Sequence, residues 1–127
     1  MKAVLLDTHA WAWSLYDTAR LSERARAATI DADTVLVSPV SFFEIAQKVR
    51  IGKWPEMTPH VDRLATLLEE QGGVIADVDH IICLNAGLMT WAHRDPFDRL
   101  LAATALRRDI PIVSADTAFD GVVIRLW

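Results

Sequence analysis

Short apolar runs and longer amphipathic stretches follow one another along this chain, and the two patterns predict different elements. Residues 2–6 form a continuous apolar run, which is typical of a strand buried on both faces. Residues 34–37 are rich in β-branched side chains, which also favours a strand. Strands are therefore predicted at residues 2–6, 34–37, 74–76 and 110–114, with an optional fifth at 122–126.

Helical spacing and helix-capping residues fill the intervals between these runs. Trp11 and Leu15 fall on one face of a helix that follows the first strand. Pro39 suits the first turn of another helix, and Gly52 suits its C-terminal stop. Helices are predicted at residues 8–16, from 22 onward, and at 39–52, 58–72, 79–91 and 95–108.

The order of these elements predicts the fold class. Strands alternate with helices and the chain has no tight hairpin signal, so the strands should lie parallel with helices on both faces. A length of 127 residues suits one hydrophobic core better than two. We therefore predict an α/β protein, a three-layer α/β/α sandwich with a central parallel sheet of four to five strands, in a single domain over residues 1–127.

Charge narrows the classes of function. The chain has 13 basic and 17 acidic residues, a formal net charge of −4. Proteins that coat nucleic acid through phosphate contacts are usually basic, so this balance argues against a general nucleic-acid coat. It still suits an enzyme whose acidic pocket is neutralised by a metal ion and whose basic residues line only the approach.

Cysteine usage and the lengths of the apolar runs predict the compartment. Cys83 is the one cysteine, so an internal disulfide is excluded, and its apolar neighbours predict a small buried side chain. The first apolar run is interrupted by Asp7 before a signal peptide could form, and no run is long enough to cross a bilayer. We predict a cytoplasmic protein with no membrane contact.

Acidic residues interrupt or follow apolar segments at four distant points of the chain, namely Asp7, Glu44, Asp98 and Asp116. Asp7 and Asp116 follow predicted strands, and parallel α/β sheets bind ligands beyond the carboxyl ends of their strands. Glu44 and Asp98 belong to helices that can reach the same edge. Gathered carboxylates repel one another and are costly to desolvate, and a hard divalent cation removes that cost. The pattern therefore predicts a metal centre for phosphodiester chemistry.

Each acid also has a structural interpretation. Asp7 is suited to cap the following helix, and Asp116 is suited to form a turn or a cap. For each of these two residues, the structural interpretation and metal binding carry equal weight. Asp95, which precedes a proline, is explained fully as a helix cap. For Asp98, a position in the first turn of that helix and a role in metal binding are equally good explanations. Glu44 lies among apolar residues, where a solvated helix face is the weaker alternative.

Histidines and basic residues carry less information. The histidines have no common metal-ligand spacing, so a zinc site is not expected. His93 and Arg99 flank the acidic segment near residue 98 and are placed to meet a substrate phosphate, but a solvated surface is the favoured interpretation for His93. Lys48 belongs to a small basic rim for RNA or, with equal weight, to a solvated helix face.

Four short blocks carry a combined signal. They are residues 6–11 (LDTHAW), 41–46 (SFFEIA), 93–102 (HRDPFDRLLA) and 114–116 (SAD). In this order, and over essentially the whole chain, they resemble the PIN-domain ribonucleases, and more narrowly the VapC-type toxins of bacterial toxin–antitoxin pairs. The resemblance implies a parallel sheet sandwiched by helices and an acidic pocket that binds Mg²⁺, with Mn²⁺ as the alternative.

This resemblance implies an endoribonuclease that acts as a toxin, with the four acids as its catalytic metal ligands. Supporting or substrate-binding positions are predicted for Thr8, Ser41, Asp95, Arg99 and Ser114. The resemblance further implies a homodimer and a small antitoxin that occupies a hydrophobic groove and blocks the acidic site. The candidates for that groove are Trp11, Trp13 and Trp54. Packing in the core is at least as strong an alternative for each of them.

Two functions from other classes stay open. A non-catalytic binding module would share the fold and differ only in the pocket. A Mg²⁺-binding phosphoacceptor signalling domain would need paired acids after the first strand and a lysine after a late strand. That rival is weaker, because Asp7 stands alone and no lysine follows Lys53.

Overall fold

A parallel β-sheet lies between two layers of helices in the computed structural model, which describes residues 2–127. Its strands are β1 (Ala3–Leu6), β2 (Thr34–Val37), β3 (Val74–Ile75), β4 (Ile112–Val113) and β5 (Arg125–Leu126). They form one 5-stranded sheet in the order β3-β2-β1-β4-β5, and each neighbouring pair is parallel. The predicted three-layer α/β/α fold is confirmed, and the optional fifth strand forms an edge of the sheet.

Helices connect the strands and cover both faces. They are α1 (Thr8–Tyr16), α2 (Glu23–Asp31), α3 (Pro39–Arg50), α4 (Leu64–Glu70), α5 (His80–Leu88) and α6 (Pro96–Arg108). The N-caps predicted at Ser22 and Asp95 are confirmed, because each side chain accepts a backbone N–H from the first turn of its helix. Among residues 2–127, no helix combines the length and the apolar character that crossing a bilayer requires.

The fourth helix begins later than predicted. Thr58 has helical backbone angles and its N–H bonds to the carbonyl of Pro55, so it closes a 3₁₀ turn instead of capping a helix. A second 3₁₀ turn follows before α4 starts at Leu64. The predicted end of the helix is confirmed, since Gly72 adopts a φ of +75°, the left-handed conformation that glycine tolerates best.

The prediction that Cys83 is buried is wrong. Helix α5 turns Ile82 and Ala86, one turn apart, towards Ala103 of α6, and these three residues form a small cluster of their own. Cys83 falls on the opposite, exposed face of α5 beside Leu84, which is 60% exposed. The apolar residues of α5 therefore extend around more of the helix than the narrow face that packs against α6.

The central strand β1 divides the core and positions the candidate site. Leu6 faces the layer that contains the fully buried Trp11, and Leu5 faces the layer that contains Leu101. After β1 the chain moves outward through β2 and β3, then returns to the other side of β1 as β4. The carboxyl ends of β1 and β4 therefore flank a topological switch point, where open α/β sheets form ligand crevices.

Candidate active site

Asp7 lies at the centre of this crevice, at the junction of β1 and α1, and is only 6% exposed. One carboxylate oxygen accepts the Ala10 N–H at 2.7 Å and so caps α1. The other accepts the hydroxyl of Ser114 at 2.5 Å. Because Ser114 directly follows β4, this bond joins the carboxyl ends of two adjacent strands. The capping of α1 is therefore observed, and it is compatible with a ligand role for the same side chain.

Burial is the main cause that raises the pKa of Asp7 from its ordinary value of 3.8 to about 6. The two hydrogen bonds just described lower the pKa of Asp7, and the carboxylates of Asp98 and Glu44 raise it. The carboxylates of Glu44 on α3 and Asp98 on α6 therefore lie close enough to Asp7 to affect its charge. The fold brings together acids that are far apart in sequence.

Glu44 reaches the crevice from α3 and is likewise 6% exposed, so the alternative of a solvated helix face is wrong for this residue. Its partner is Lys48, one turn later, whose Nζ lies 2.7 Å from Glu44 Oε2. The ammonium group offsets part of the cost of burying the carboxylate. Lys48 thus stands at the border of the acidic site, with a side chain that is 31% exposed.

Thr8 and Ser41 join α1 to α3 beside these acids. Their hydroxyl oxygens lie 2.9 Å apart in a hydrogen bond, and both side chains are buried. The helical spacing predicts that Ser41 binds a ligand or orients Glu44, but its hydroxyl pairs with Thr8. The pair supports the site by holding together the two helices that carry the buried acids.

His93, Asp98 and Asp116 form the outer side of the site. His93 Nε2 lies 2.7 Å from Asp98 Oδ2, and one ligand atom from each of the three residues lies within 4.8 Å of the others. Burial raises the pKa of Asp98, while the hydrogen bond with His93 lowers it. Asp116 is exposed, and its carboxylate also caps a 3₁₀ turn through the Ala118 N–H at 2.9 Å. Residues of these types at this separation can hold a divalent cation.

The position of His93 corrects the expectation of a solvated surface. Asp95 accepts the Phe97 N–H at 2.9 Å, and the chain that enters this cap folds residue 93 back onto the first turn of α6. The Trp91 ring lies 4.9 Å from the imidazole and packs beside it. His93 lies two residues before the Asp95 cap, and Asp98 lies three residues after it. This spacing is the sequence signal that could have revealed the contact.

Arg99 supports this segment and does not offer its guanidinium to a phosphate. Each of its five N–H groups donates to a main-chain carbonyl, at distances from 2.6 to 3.4 Å. The acceptors are the carbonyls of Ala86, Gly87, Met89, Trp91 and His93. Of the two roles predicted for Arg99, these contacts favour support over substrate binding, because its donors join the last turn of α5 to the segment that leads into α6.

Two of the three tryptophans suggested for a partner groove belong to the core. Trp11 is fully buried, and its indole N–H donates to Gln71 Oε1 at 2.9 Å. Trp54 is 6% exposed, and its indole N–H donates to the Tyr16 hydroxyl at 3.3 Å. Trp13 is half-buried and keeps part of its ring at the surface. The alternative of core packing therefore holds for Trp11 and Trp54.

His9 lies between the acidic site and this aromatic region. Its imidazole stacks on the Trp54 ring with centroids 4.8 Å apart. Loss of water at this contact lowers the pKa of His9, and the Lys48 ammonium lowers it further, against the opposing effect of Glu44 and Asp116. The imidazole is therefore mainly neutral at pH 7, and it lies within electrostatic range of acids on both sides of the crevice.

Known proteins share this sequence pattern. The family model for the PIN domain matches residues 4–124. The chain is 29% identical over 116 residues to Ribonuclease VapC22 of Mycobacterium tuberculosis (strain ATCC 25618 / H37Rv). That alignment covers 91% of this chain and 88% of the relative.

Two solved structures have a similar fold. One is a crystal structure of VapBC2 from Rickettsia felis bound to a DNA fragment from the promoter of VapBC2. A chain of that structure superposes on the present chain with a TM-score of 0.62 at 14% sequence identity. This superposition covers 97% of the present chain and 96% of the other. FitAcB from Neisseria gonorrhoeae gives a TM-score of 0.55 at 17% identity, with coverages of 96% and 95%. At these identities the likeness establishes a common fold.

Proposed function

The chain belongs to the PIN domain family, and on that premise we propose that it is a metal-dependent endoribonuclease that acts as the toxin of a toxin–antitoxin pair. The similarity to a protein named as a ribonuclease supports RNA as the substrate. One observation carries the proposal. The buried carboxylate of Asp7 lies within electrostatic range of Asp98 and Glu44 at the switch point of a parallel sheet.

The donor set suits a hard divalent cation. The acids supply oxygen atoms, which Mg²⁺ and Mn²⁺ prefer, and His93 adds a nitrogen that Mn²⁺ accepts more readily. The raised pKa of Asp7 reflects the cost of burying its carboxylate near two others, and a bound cation removes that cost. We propose Mg²⁺ as the physiological ion and Mn²⁺ as a substitute.

Asp7 and Asp98 are proposed as the principal ligands, with Glu44 and Asp116 acting directly or through water. When bound, the cation supplies Lewis acidity towards the scissile phosphate and lowers the pKa of water. Mg²⁺ retains several waters and needs few protein carboxylates, so the four acids need not all touch it. The most exposed of them, Asp116, is free to meet a hydrated ion at the mouth of the crevice.

Neighbouring side chains hold these carboxylates in fixed directions before RNA arrives. The Ser114 hydroxyl donates to Asp7 and accepts the backbone N–H of Asp116 at 3.0 Å, so one residue orients parts of both strand ends. His93 orients Asp98 through its own hydrogen bond. Groups that are already oriented can stabilise charge on the phosphate without reorganising during the reaction.

An antitoxin protein is the proposed partner. The motif resemblance and the similarity to Ribonuclease VapC22 support this assignment, and the fold likeness to VapBC2 and FitAcB is consistent with it. A homodimer, a cytoplasmic location and a single domain over residues 1–127 complete the proposal.

Incubation of the purified chain with an end-labelled RNA and Mg²⁺ tests the proposed activity. We expect internal cuts that leave 5′-phosphate and 3′-hydroxyl ends, because water attacks the phosphorus and the ribose 3′ oxygen leaves. The 2′-hydroxyl takes no part in this reaction, so a 2′-deoxy sugar at the cut site should still permit cleavage. EDTA should abolish it, because the acids then lack their cation.

Asp98→Asn and Asp79→Asn form a matched pair for this assay. Asp79 caps α5 through the Ile82 N–H at 2.9 Å, and asparagine caps equally well. We expect Asp98→Asn to lower the cleavage rate by roughly 10²- to 10³-fold, the range typical for the loss of an electrostatic catalytic group. Asp79→Asn should cleave like the wild type. Equal cleavage by wild type and Asp98→Asn, or products with 2′,3′-cyclic phosphate ends, would contradict the proposal.

A further inference from the structure

A continuous series of aromatic rings and cations extends from the acidic site over the surface of α1. We call it the aromatic strip, and its members are Lys48, Trp54, His9, Trp13, Trp127 and Arg20. His9 and Trp13 lie one turn apart on α1, with ring centroids 5.7 Å apart. The helix therefore directs both rings to the same side, towards solvent.

The outer end of the aromatic strip carries a cation. The Trp13 and Trp127 rings are tilted against each other with centroids 5.8 Å apart, and both residues are half-buried. The guanidinium carbon of Arg20 lies 4.6 Å from the centre of the Trp13 ring, and Arg20 is exposed. A cation over an indole ring is favourably placed, and it also leaves charged N–H groups available to an anion.

The inner end of the aromatic strip touches the acidic site. Lys48 Nζ lies 5.4 Å from the centre of the Trp54 ring and 2.7 Å from Glu44 Oε2. Trp54 itself is buried and serves as the floor on which His9 stacks. The surface of rings and the crevice of carboxylates are therefore continuous, with Lys48 as their common member.

We propose that the aromatic strip binds an unpaired segment of RNA beside the scissile phosphate, with bases stacked on His9, Trp13 and Trp127. This inference rests on the proposed endoribonuclease function. Arg20 and Lys48 contact the backbone phosphates of the same segment. The substrate class that follows is single-stranded or looped RNA, because the bases of a duplex already stack on one another.

Charge complementarity favours RNA over an apolar protein partner as the occupant. The chain has a net charge of −4, so a polyanion needs local cations on its way to an acidic pocket. The aromatic strip has Lys48 at its inner end and Arg20 over Trp13 towards its outer end, with rings between the two cations, which matches a strand with phosphates outside and flat bases inside. An apolar helix of a partner would instead remove water from the exposed Arg20 guanidinium without offering it an anion.

Binding of a fluorescein-labelled oligoadenylate to the full chain, measured by anisotropy in EDTA to prevent cleavage, tests the inference. We expect Trp13→Leu to weaken binding by ~5- to 100-fold, the effect of one lost base–ring stack. Trp13→Phe should retain most of the affinity, because it keeps a ring. The same oligoadenylate annealed to its complement should bind Trp13→Leu and the wild type equally.

Arg20→Ala provides a test that does not depend on core packing, because Arg20 is exposed. Loss of one phosphate contact should reduce the slope of log affinity against log salt by about 0.7 for a single strand. Arg24→Ala is the matched control, since Arg24 is an exposed arginine on the neighbouring helix α2, outside the aromatic strip. Its salt dependence should equal that of the wild type.

Wild-type affinity of both Trp13→Leu and Arg20→Ala for the oligoadenylate would overturn the inference. If the wild type still cleaves RNA in that case, the proposed function stands and only the aromatic strip fails. If the variants bind RNA normally but lose self-association in sedimentation, the strip is a protein contact, which also overturns the inference. A wild type that neither binds nor cleaves RNA would overturn both proposals.

Discussion

Asp7→Asn should remove RNA cleavage and at the same time stabilise the metal-free protein at neutral pH. The variant lacks the central carboxylate, so we expect the cleavage rate to fall by roughly 10²- to 10³-fold or more. The amide oxygen can still accept the Ala10 N–H, and the amide nitrogen can donate to the Ser114 hydroxyl, so the fold is preserved. Removal of a buried charge near Asp98 and Glu44 should then raise the free energy of unfolding.

The size and the pH dependence of this stabilisation follow from the pKa of Asp7. Folding raises this pKa from 3.8 to about 6, so the folded state binds a proton more tightly than the unfolded state. Relative to Asp7→Asn, wild-type stability should be highest below pH 3.8 and should fall as pH rises through about 6. The total loss is about 3 kcal/mol, at 1.36 kcal/mol per unit of pKa.

Chemical denaturation of both proteins in EDTA at a series of pH values measures this difference directly. Added Mg²⁺ should stabilise the wild type more than Asp7→Asn, because ligand binding to the folded state adds to its stability. An Asp7→Asn protein that is less stable than wild type at pH 7, or that cleaves RNA at the wild-type rate, would show that Asp7 is chiefly a structural cap.

Arg99→Lys should destabilise the protein and impair the site even though the positive charge is kept. The guanidinium makes five hydrogen bonds to carbonyls, and a lysine ammonium has three donors with a different geometry. We expect the free energy of unfolding to fall by about 2–4 kcal/mol, because several half-buried carbonyls lose a charged donor. The cleavage rate should fall by ~10-fold or more, since His93 loses its support beside Asp98.

Arg107→Lys is the matched control for this change. Arg107 lies on the same helix but is exposed, so its replacement should alter stability by less than about 0.5 kcal/mol. Thermal unfolding and cleavage assays of the two variants separate a structural role from a general effect of the substitution. Equal stability of Arg99→Lys and Arg107→Lys would refute the assigned role of Arg99.

Strands and caps could be predicted from the sequence because their signals are local. The runs at residues 2–6 and 34–37 have the length and composition of buried strands, and the structure places β1 and β2 within them. Ser22 and Asp95 cap helices through contacts only two or three residues away. The alternation of such elements was enough to predict a parallel sheet and hence an acidic crevice at its edge.

The remaining features depend on packing between distant elements, which local patterns do not encode. The five carbonyl partners of Arg99 lie in the last turn of α5 and in the segment that follows it, where the sequence predicts one continuous helix over residues 79–91. The supporting role of Arg99 depends on the end of that helix at Leu88, which the local pattern does not show. Cys83 is exposed because α5 packs on α6 through a narrow stripe. Thr58 resembles an N-cap in sequence, but a preceding 3₁₀ turn uses its N–H.

Binding of Mn²⁺ to the full chain, followed by electron paramagnetic resonance of the free ion, tests the central claim most directly. We expect saturable binding to the wild type, affinity at least ~10-fold weaker in Asp7→Asn, and unchanged affinity in the cap variant Asp79→Asn. No Mn²⁺ binding by the wild type, or the same affinity in all three proteins, would contradict a metal site built from the buried acids.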